Sequence, residues 1–440
     1  MEILGLAGIL IALALLFYMA LKGFSLLIVG PLAAIVIVVF NGMGFAGITS
    51  TYLGGVGGMV TNVFGYALLG AILGKYYEDS HAASTVANSI MKLVGADKEN
   101  SSPMRVVIAV TVVAAVLTYA GVSVFAAIFA LVPIAREMFR KANLPWHIAL
   151  IPVVLGMCTF TNTTMPGAII LSNILPTNYL GTTLTAMPVA SLVASAACIV
   201  WGLLYCKYQL KKAIAKGEAY VESGGIPASA ADTRLPTVAE SFAPIIVLLA
   251  VVFGGSVLKV ANIAYIAMLV SVLVAMVTLR KYIPSHKKTL AGAGTNSIGT
   301  VMSIAAVVGV GSCITTAPGF SIVSNALSSI SGNPIFSLIL MCLIMGVVTA
   351  SPSGSLGIIL ANFAQGYVAA GLAPEVVHRV VAIATCGFAA MPHSGGCVAL
   401  LACAGLTHKE GFKHCFMVTF VGQTISLAVI VIFSSLGWVI

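Results

Sequence analysis

The chain has 440 residues, of which 60% are hydrophobic and only 8% are charged, and its mean hydropathy is +1.10. Because soluble globular proteins carry about a quarter charged residues, this composition excludes a soluble enzyme and indicates a polytopic membrane protein. The net charge of +9 fits basic loops on the cytoplasmic side of a membrane. We therefore expect a lipid bilayer as partner and no nucleic acid.

Apolar segments delimited by charged residues, Pro and Gly predict ten transmembrane helices, at 3–21, 24–41, 52–74, 145–178, 184–206, 237–258, 261–279, 295–316, 375–406 and 413–438. Two further apolar stretches, 104–140 and 334–371, are too long for one span. Each carries a central break, TYAGVS at 118–123 and TASPSGS at 349–355. An arm of about 15 residues is ~22 Å long, shorter than a ~30 Å hydrocarbon core, which predicts two re-entrant hairpins.

The distribution of Lys and Arg predicts the orientation of the chain. With the N-terminus outside, 19 of the 21 Lys and Arg residues fall on the cytoplasmic side, and only Lys259 and Arg379 fall outside. The positive-inside rule then predicts a multi-pass protein of the inner (cytoplasmic) membrane with both termini outside. We expect His378 and Arg379, near the outer face, to serve the entrance or the lipid headgroups.

The polar stretch 206–236 is predicted to be a cytoplasmic linker between two halves. Residues 1–205 hold five spans and the first hairpin, and residues 237–440 hold five spans and the second hairpin. An odd number of spans in each half predicts inverted-topology repeats. TNTTMPG ends 22 residues after Pro145, and AMPHSGG ends 22 residues after Pro374. Paired broken helices in inverted repeats are typical of secondary transporters.

The four breaks hold the candidate binding residues. Irregular backbone at membrane depth is tolerated only where it is buried in protein or lines a wet cavity. A half-helix that begins there offers free N–H donors to an anion, and we expect such starts near Ser123, Gly167, Ser355 and Gly396. No Lys or Arg lies within a break, which predicts recognition by neutral groups. The candidate substrate-binding residues are Thr118, Gly121, Ser123, Thr161, Asn162, Thr163, Thr164, Ser351, Ser353, Ser355, His393 and Ser394.

His393 is the only titratable residue at a break. All twelve acidic residues fall in loops or near predicted span ends, which argues against a buried carboxylate relay. Since an unperturbed imidazole titrates near pH 6.5, His393 is the candidate for proton coupling, and a merely hydrogen-bonded packing histidine is the alternative.

Other motifs predict no further chemistry. The nine cysteines form no CxxC pair and have no regular spacing with histidines, so we expect no metal site, no cofactor and no catalytic residue. The Gly-rich segments GGVGGMV at 54–60 and AGAGTNSIGT at 291–300 lack the GK[ST] of a phosphate-binding loop. They predict close helix packing instead.

The segment GAILGKYYEDSHAASTVANSIMKLVG at 70–95 resembles a motif of the gluconate:proton symporter (GntP) family, within the ion-transporter superfamily of hairpin-containing carriers. That motif reads Gly-x-x-hydrophobic-Gly-x-x-hydrophobic-Glu-Asp-Ser-x-x-Ala. The resemblance implies a homodimer, an elevator-like movement of hairpins and broken spans, and uptake of small hydroxy-carboxylates with protons. TYAGVS and TASPSGS replace the Ser-Asn-Thr hairpin tips of the superfamily's sodium-coupled dicarboxylate carriers, so their sodium chemistry is not carried over.

The sequence thus predicts an all-α polytopic membrane protein and a secondary active transporter. Its predicted cargo is a small organic hydroxy-carboxylate of the gluconate, glycerate or 3-hydroxybutyrate type, taken up with a proton. Two alternatives stay open at this point. A sodium-coupled di- or tricarboxylate symporter would need a sodium gradient, whereas an anion channel would pass current without either gradient.

Overall fold

The computed structural model describes residues 2–22, 24–96, 102–119, 121, 124–224, 235–258, 260, 262–322, 334–349, 351–392 and 394–439. Within these ranges 81% of the residues are helical, and none lies in a strand. The all-α class predicted from the sequence is confirmed.

The described part of the first half contains ten α-helices joined by short connections. They are α1 (Glu2–Leu21), α2 (Leu26–Phe40), α3 (Leu53–Asp79), α4 (Ala82–Val94), α5 (Pro103–Tyr119), α6 (Val124–Lys141), α7 (Leu150–Cys158), α8 (Phe160–Thr163), α9 (Leu171–Leu180) and α10 (Pro188–Ala215). A π-helical turn, Gly47–Tyr52, leads into α3, and a 3₁₀ turn, Trp146–Ala149, leads into α7.

The second half also contains both long helices and short helices. Its helices are α11 (Val238–Val257), α12 (Ile263–Thr278), α13 (His286–Thr316), α14 (Pro334–Thr349), α15 (Pro352–Asn362), α16 (Ala364–Ala369), α17 (Pro374–Phe388), α18 (Gly395–Ala404), α19 (His408–Phe416) and α20 (Gly422–Ser435). A 3₁₀ turn, Arg280–Tyr282, follows α12, and a π-helical turn, Met417–Val421, joins α19 to α20.

Five helical segments of the described chain are long and apolar enough to cross a membrane, namely Trp146–Thr163, Pro188–Ala215, Val238–Gly255, His286–Thr316 and His408–Ser435. A sixth candidate is the pair Gly47–Thr61 and Val63–Asp79, which is bent by 46°. Shorter apolar helices of 10–17 residues are Glu2–Leu16, Leu26–Phe40, Pro103–Tyr119, Ile263–Thr278 and Pro334–Val347. The molecule is a multi-pass membrane protein, and its ten-span arrangement stays a prediction.

Two helix limits differ from the predicted spans for one physical reason. Helix α10 continues to Ala215, beyond the predicted end at 206, and α13 begins at His286, before the predicted start at 295. Hydropathy ends a span at its first charges, whereas Lys side chains are good helix formers and extend the helix into water.

Three clusters of buried apolar side chains form the described interior, and the smallest of them lies between α1, α2 and α13. The first lies around α5, α6 and α7 and includes side chains of α10, α11, α12 and α18. The second lies around α13, α14, α15 and α17 and includes side chains of α9, α10 and α20. Each cluster contains helices from both halves of the chain, so the halves interlock.

The Gly-rich segments behave differently from each other. A Cβ at Gly55 of α3 would lie 2.4 Å from Ser312 Oγ and 3.0 Å from Gly309 Cα of α13, so α3 and α13 meet at backbone distance there. At Gly294 no atom lies within 4 Å of the Cβ position. The prediction of close helix packing is therefore wrong at Gly294 in the second segment. The following residues 295–297, with Gly299, line a cavity, which their small or polar side chains leave open.

Candidate functional site

One cavity of about 1520 Å³ lies between the two halves of the protein. All four predicted breaks contribute to its wall: Gly121 from the first hairpin tip, Asn162 from the first broken span, Ser351 and Ser353 from the second hairpin tip, and Ser394 from the second broken span. Residues far apart in sequence thus surround one space. Two predicted site residues, Ser123 and His393, lie outside the described residues.

The first hairpin tip lies directly against the first broken span. Gly121 has φ +83°, a left-handed conformation that favours glycine, and a Cβ there would lie 3.2 Å from Ile169 O. The Tyr119 hydroxyl donates a 2.7 Å hydrogen bond to Pro166 O. Gly167, with φ +78°, donates its N–H to Leu184 O at 3.0 Å.

The half-helix expected near Gly167 begins four residues later, at Leu171 of α9. Ile170 has extended backbone angles, φ −133° and ψ 151°, so the chain crosses the break in a non-helical conformation. The prediction near Gly167 was therefore wrong by one helical turn. Among the other described starts, α15 begins at Pro352, three residues before the predicted Ser355, and α18 begins at Gly395, one residue before the predicted Gly396.

Both half-helices of the second half begin at the cavity with a serine N-cap. Ser351 precedes α15, and its Oγ accepts a hydrogen bond from the N–H of Gly354 at 3.2 Å. Pro352 occupies the first helical position, where a missing N–H costs nothing. Ser394 precedes α18 with extended backbone angles, φ −62° and ψ 126°. The first turns of both helices suit the binding of an anion, through the N–H of Ser353 in α15 and the N–H groups that begin α18.

Asn162 is held at the cavity wall by residues that the sequence analysis did not single out. The Ser172 hydroxyl bonds to the backbone carbonyl of Asn162 and also to its Oδ1, at 3.3 Å. The Asn162 amide lies 3.6 Å from Cys386 Sγ of α17. Ser172 and Cys386 also line the cavity. No sequence pattern marks Ser172 or Cys386 as a site residue, because each comes to the cavity wall only through the packing of separate segments.

Several predicted threonines lie behind the wall instead of lining the cavity. The hydroxyls of Thr118 and Thr161 are 3.1 Å apart and both bond to Gly156 O, at 3.3 and 2.6 Å. This node joins α5 to the α7–α8 junction. Both threonines are buried, so their hydroxyl groups fix the first break in place.

Thr163, Thr164 and Ser355 are buried in the same way. Thr163 donates to Gln423 Oε1 of α20 at 3.0 Å, and Thr164 lies 2.7 Å from Ser195 Oγ of α10. Ser355 donates to Ser351 O at 2.9 Å. The bonds of Thr163 and Thr164 attach the first broken span to α20 and α10, whereas the bond of Ser355 lies within the second hairpin tip. A direct role in binding stays a prediction for all three residues.

Arg379 contradicts the expectation of an exposed position near the headgroups. It is 0% exposed, and its guanidinium donates to Ala186 O, Thr163 O, Asn173 Oδ1 and Leu184 O, over 2.8 to 3.1 Å. Sequence distance from a span end could not show this, because α17 turns this face inward onto α9 and the segment before α10. A cationic side chain therefore reaches the first break from the other half of the protein.

His378 is also fully buried, which overturns its predicted place at the entrance. Its Nε2 lies 2.9 Å from Asn173 Oδ1, and its Nδ1 lies 2.7 Å from Thr182 Oγ1. The Asn173 amide donates to Ala168 O and Leu184 O, which leaves its Oδ1 as the acceptor. Nε2 of His378 is thus assigned as the donor to Asn173, and its Nδ1 accepts from Thr182.

The Lys and Glu side chains of the described wall are Lys75 and Glu78, which are 24% and 40% exposed. Lys75 Nζ lies 3.0 Å from Glu78 Oε1 and 2.9 Å from Asp79 Oδ1, so its charge is already paired. His408 is exposed and donates from Nε2 to Pro392 O at 2.9 Å. The cavity therefore reaches the surface beside Lys75 and Glu78, which form its mouth.

A second buried arginine, Arg136, joins the linker to α6 and to the end of α18. Arg136 of α6 donates to Ala404 O at the end of α18 and to Glu222, Ser223 and Gly224 of the linker, each at 2.8 to 2.9 Å by its shortest bond. The hydrogen bond from Arg136 holds the pKa of the Glu222 carboxyl below its usual range. The linker is thus fixed against the first hairpin at this point.

A metal centre is not formed by the side chains that the structure describes, since no three His, Cys, Asp or Glu residues among them are grouped to hold an ion. All nine cysteines are free thiols.

Paired hairpins and broken helices around one cavity define a multi-pass membrane transporter. The chain belongs to the GntP permease family: the family model, GntP family permease, matches residues 1–436. The resemblance seen at 70–95 is thereby confirmed.

Two known proteins are similar to this chain along almost its whole length. The uncharacterized transporter YxjC of Bacillus subtilis (strain 168) is 31% identical over 476 residues, covering 98% of this chain and 99% of that protein. The crystal structure of the Alcanivorax borkumensis YdaH transporter has a similar fold, with a TM-score of 0.52, 14% identity and 90% of each chain covered. At that identity the similarity concerns the fold alone.

Proposed function

We propose that the protein is a secondary active transporter that takes up a small hydroxy-carboxylate of the gluconate type together with a proton. One observation carries the proposal: hairpin tips and broken helices from both halves line the same cavity. The serine-capped helix starts at Ser351 and Ser394 offer N–H donors to a carboxylate. Hydroxyl and amide groups from Asn162, Ser172 and Ser353 suit the hydroxyl groups of such a substrate.

The proposed mechanism is an elevator-like movement within two inverted repeats. The order of elements supports the repeats: a helix pair (α5, α6 and α14, α15) precedes a broken helix (α7–α9 and α17–α18) and a long segment (α10 and α19–α20) in each half. We further propose a homodimer in the inner membrane with both termini outside.

Transport by reconstituted protein tests the function. In proteoliposomes with an alkaline interior, we expect gluconate to accumulate above its external concentration, because an inward proton gradient drives it. A protonophore is expected to abolish this accumulation. Accumulation that follows an imposed sodium gradient instead, or gluconate-dependent current with neither gradient, contradicts proton symport and identifies the sodium symporter or the anion channel.

Asn162→Ala is expected to weaken gluconate binding by roughly three- to tenfold, since one neutral hydrogen bond contributes about 0.5–1.5 kcal/mol. Isothermal titration of the detergent-solubilised protein measures the change. Asn362→Ala is the matched control, because this helical asparagine does not line the cavity. Unchanged binding in Asn162→Ala and in Thr163→Ala alike would make the first broken span structural and not ligand-binding.

A further inference from the structure

Arg379 is a buried cation that no acidic side chain among the described residues neutralises. Its four hydrogen bonds go to three backbone carbonyls and one amide oxygen. Among the residues that the structure describes, no Asp or Glu forms an ion pair with it, whereas the other fully buried arginine, Arg136, is paired with Glu222 at 2.8 Å. An unpaired buried charge is strongly unfavourable unless another charge compensates it.

The charge lies one residue behind the cavity wall. Arg379 Nη1 contacts Thr163 O and Asn173 Oδ1, and the preceding residues, Asn162 and Ser172, both line the cavity. Around the breaks, the described wall is neutral. Lys75 is the one Lys or Arg in that described wall, and it lies at the mouth, paired with two carboxylates. Arg379 is therefore the unpaired positive charge next to the proposed binding region.

A charge held in this way acts on the cavity without touching its contents. The surrounding protein is apolar, so the potential of a buried charge is screened far less than it is in water. The fork of the guanidinium is fixed by four acceptors and keeps its position when the cavity fills or empties. Such a preorganised field favours one compensating negative charge in the cavity.

We propose that Arg379 is a specificity-determining residue: its unpaired charge selects a monoanionic carboxylate and disfavours neutral sugars and multiply charged acids. The proposal rests on the transport function proposed above and refines its substrate class. A purely structural clamp is the competing explanation, since the same hydrogen bonds hold the first break. Two pairs of variants distinguish charge from clamp.

The first pair replaces the arginine itself. Arg379→Lys keeps the charge and loses most of the four hydrogen bonds, whereas Arg379→Gln keeps a hydrogen-bonding group and loses the charge. If the charge selects the substrate, the Kd for gluconate is expected to rise roughly tenfold or more in Arg379→Gln and much less in Arg379→Lys. In proteoliposomes the loss is expected in KM more than in the maximal rate.

The second pair of variants keeps Arg379, so it tests the role of the charge even if Arg379→Gln does not fold. Asn173→Asp places a carboxylate on the guanidinium and neutralises it, while Asn173→Leu removes the same amide donors, to Ala168 O and Leu184 O, without adding charge. We expect gluconate binding to be roughly tenfold weaker in Asn173→Asp than in Asn173→Leu. A clamp predicts the reverse, because Asp retains an acceptor for Arg379.

The outcomes separate this inference from the proposed function. Wild-type protein that binds gluconate, with Arg379→Gln binding equally well or Asn173→Asp binding at least as well as Asn173→Leu, overturns the role of the charge and leaves the transporter in place. Wild-type protein that neither binds nor transports gluconate, glycerate or 3-hydroxybutyrate overturns the proposed function, and this inference with it.

Discussion

Gly156→Ala is expected to destabilise the protein by about 1–3 kcal/mol and to lower its transport activity. A Cβ at Gly156 would lie 2.3 Å from Thr111 O and 2.5 Å from Ala114 Cβ, so α7 and α5 already touch there at backbone distance. Thr111 O belongs to the α5 backbone and Ala114 Cβ is bonded directly to it, so neither atom is able to rotate away. The two helices must therefore separate.

The separation is expected to reach the cavity through the threonine node. Gly156 O accepts hydrogen bonds from Thr161 and Thr118, and Asn162 follows Thr161 directly. A shift of α7 thus displaces the first break and its cavity-lining amide. We expect a lower melting temperature in detergent together with weaker gluconate binding.

Gly294→Ala is the matched control for this prediction. Gly294 is also a helical glycine, but no atom lies within 4 Å of its Cβ position, so the added methyl group meets open space. Its melting temperature is expected to equal that of the wild type or to exceed it slightly. Equal stability of the two variants would contradict the close α5–α7 contact.

The positions of the breaks were predictable because their residue types are unfavourable in an apolar helix. Pro, Gly, Ser, Thr and Asn within long hydrophobic runs weaken the helix and bring polar groups that lipid cannot satisfy. The described helices end and begin on either side of the predicted breaks: α5 ends at Tyr119 and α6 begins at Val124, and α14 ends at Thr349 and α15 begins at Pro352. In the broken spans, α8 ends at Thr163 before α9 begins at Leu171, and α17 ends at Phe388 before α18 begins at Gly395. Hydropathy and helix-breaking residue types are local properties of the sequence, and they are sufficient to predict where the breaks lie.

The partners of the breaks were not predictable from the same pattern. Arg379 was assigned to the outer face since it stands near a predicted span end, whereas tertiary packing turns it onto Thr163 and Asn173. Gln423 follows a π-helical turn that has no distinctive sequence pattern, and it meets Thr163 from α20. Such contacts depend on which helix faces are apposed, and one sequence does not show this.

His393 is proposed to couple proton and substrate, and its chain neighbours support the position although the residue itself lies outside the described ranges. Pro392 and Ser394 both line the cavity, and Ser394 caps α18. Among the described wall residues, Lys75 and Glu78 lie at the mouth, and His408 donates to Pro392 O beside the second break. A proton on His393 would thus sit beside the helix start proposed to receive the carboxylate.

His393→Gln is expected to retain exchange of gluconate down its own gradient and to lose stimulation by an inward proton gradient. A protonated imidazole adds a full positive charge beside the carboxylate, and a bound carboxylate favours that proton by the same free energy, so each promotes binding of the other. Glutamine keeps a hydrogen-bonding side chain but carries no titrating charge, which removes the coupling while leaving the polar contact. Proteoliposomes with and without an imposed pH difference measure both activities, and His147→Gln, at a histidine that does not line the cavity, is the control expected to keep the stimulation. Full pH-driven accumulation by His393→Gln would contradict the coupling role and make His393 a packing residue of the second break.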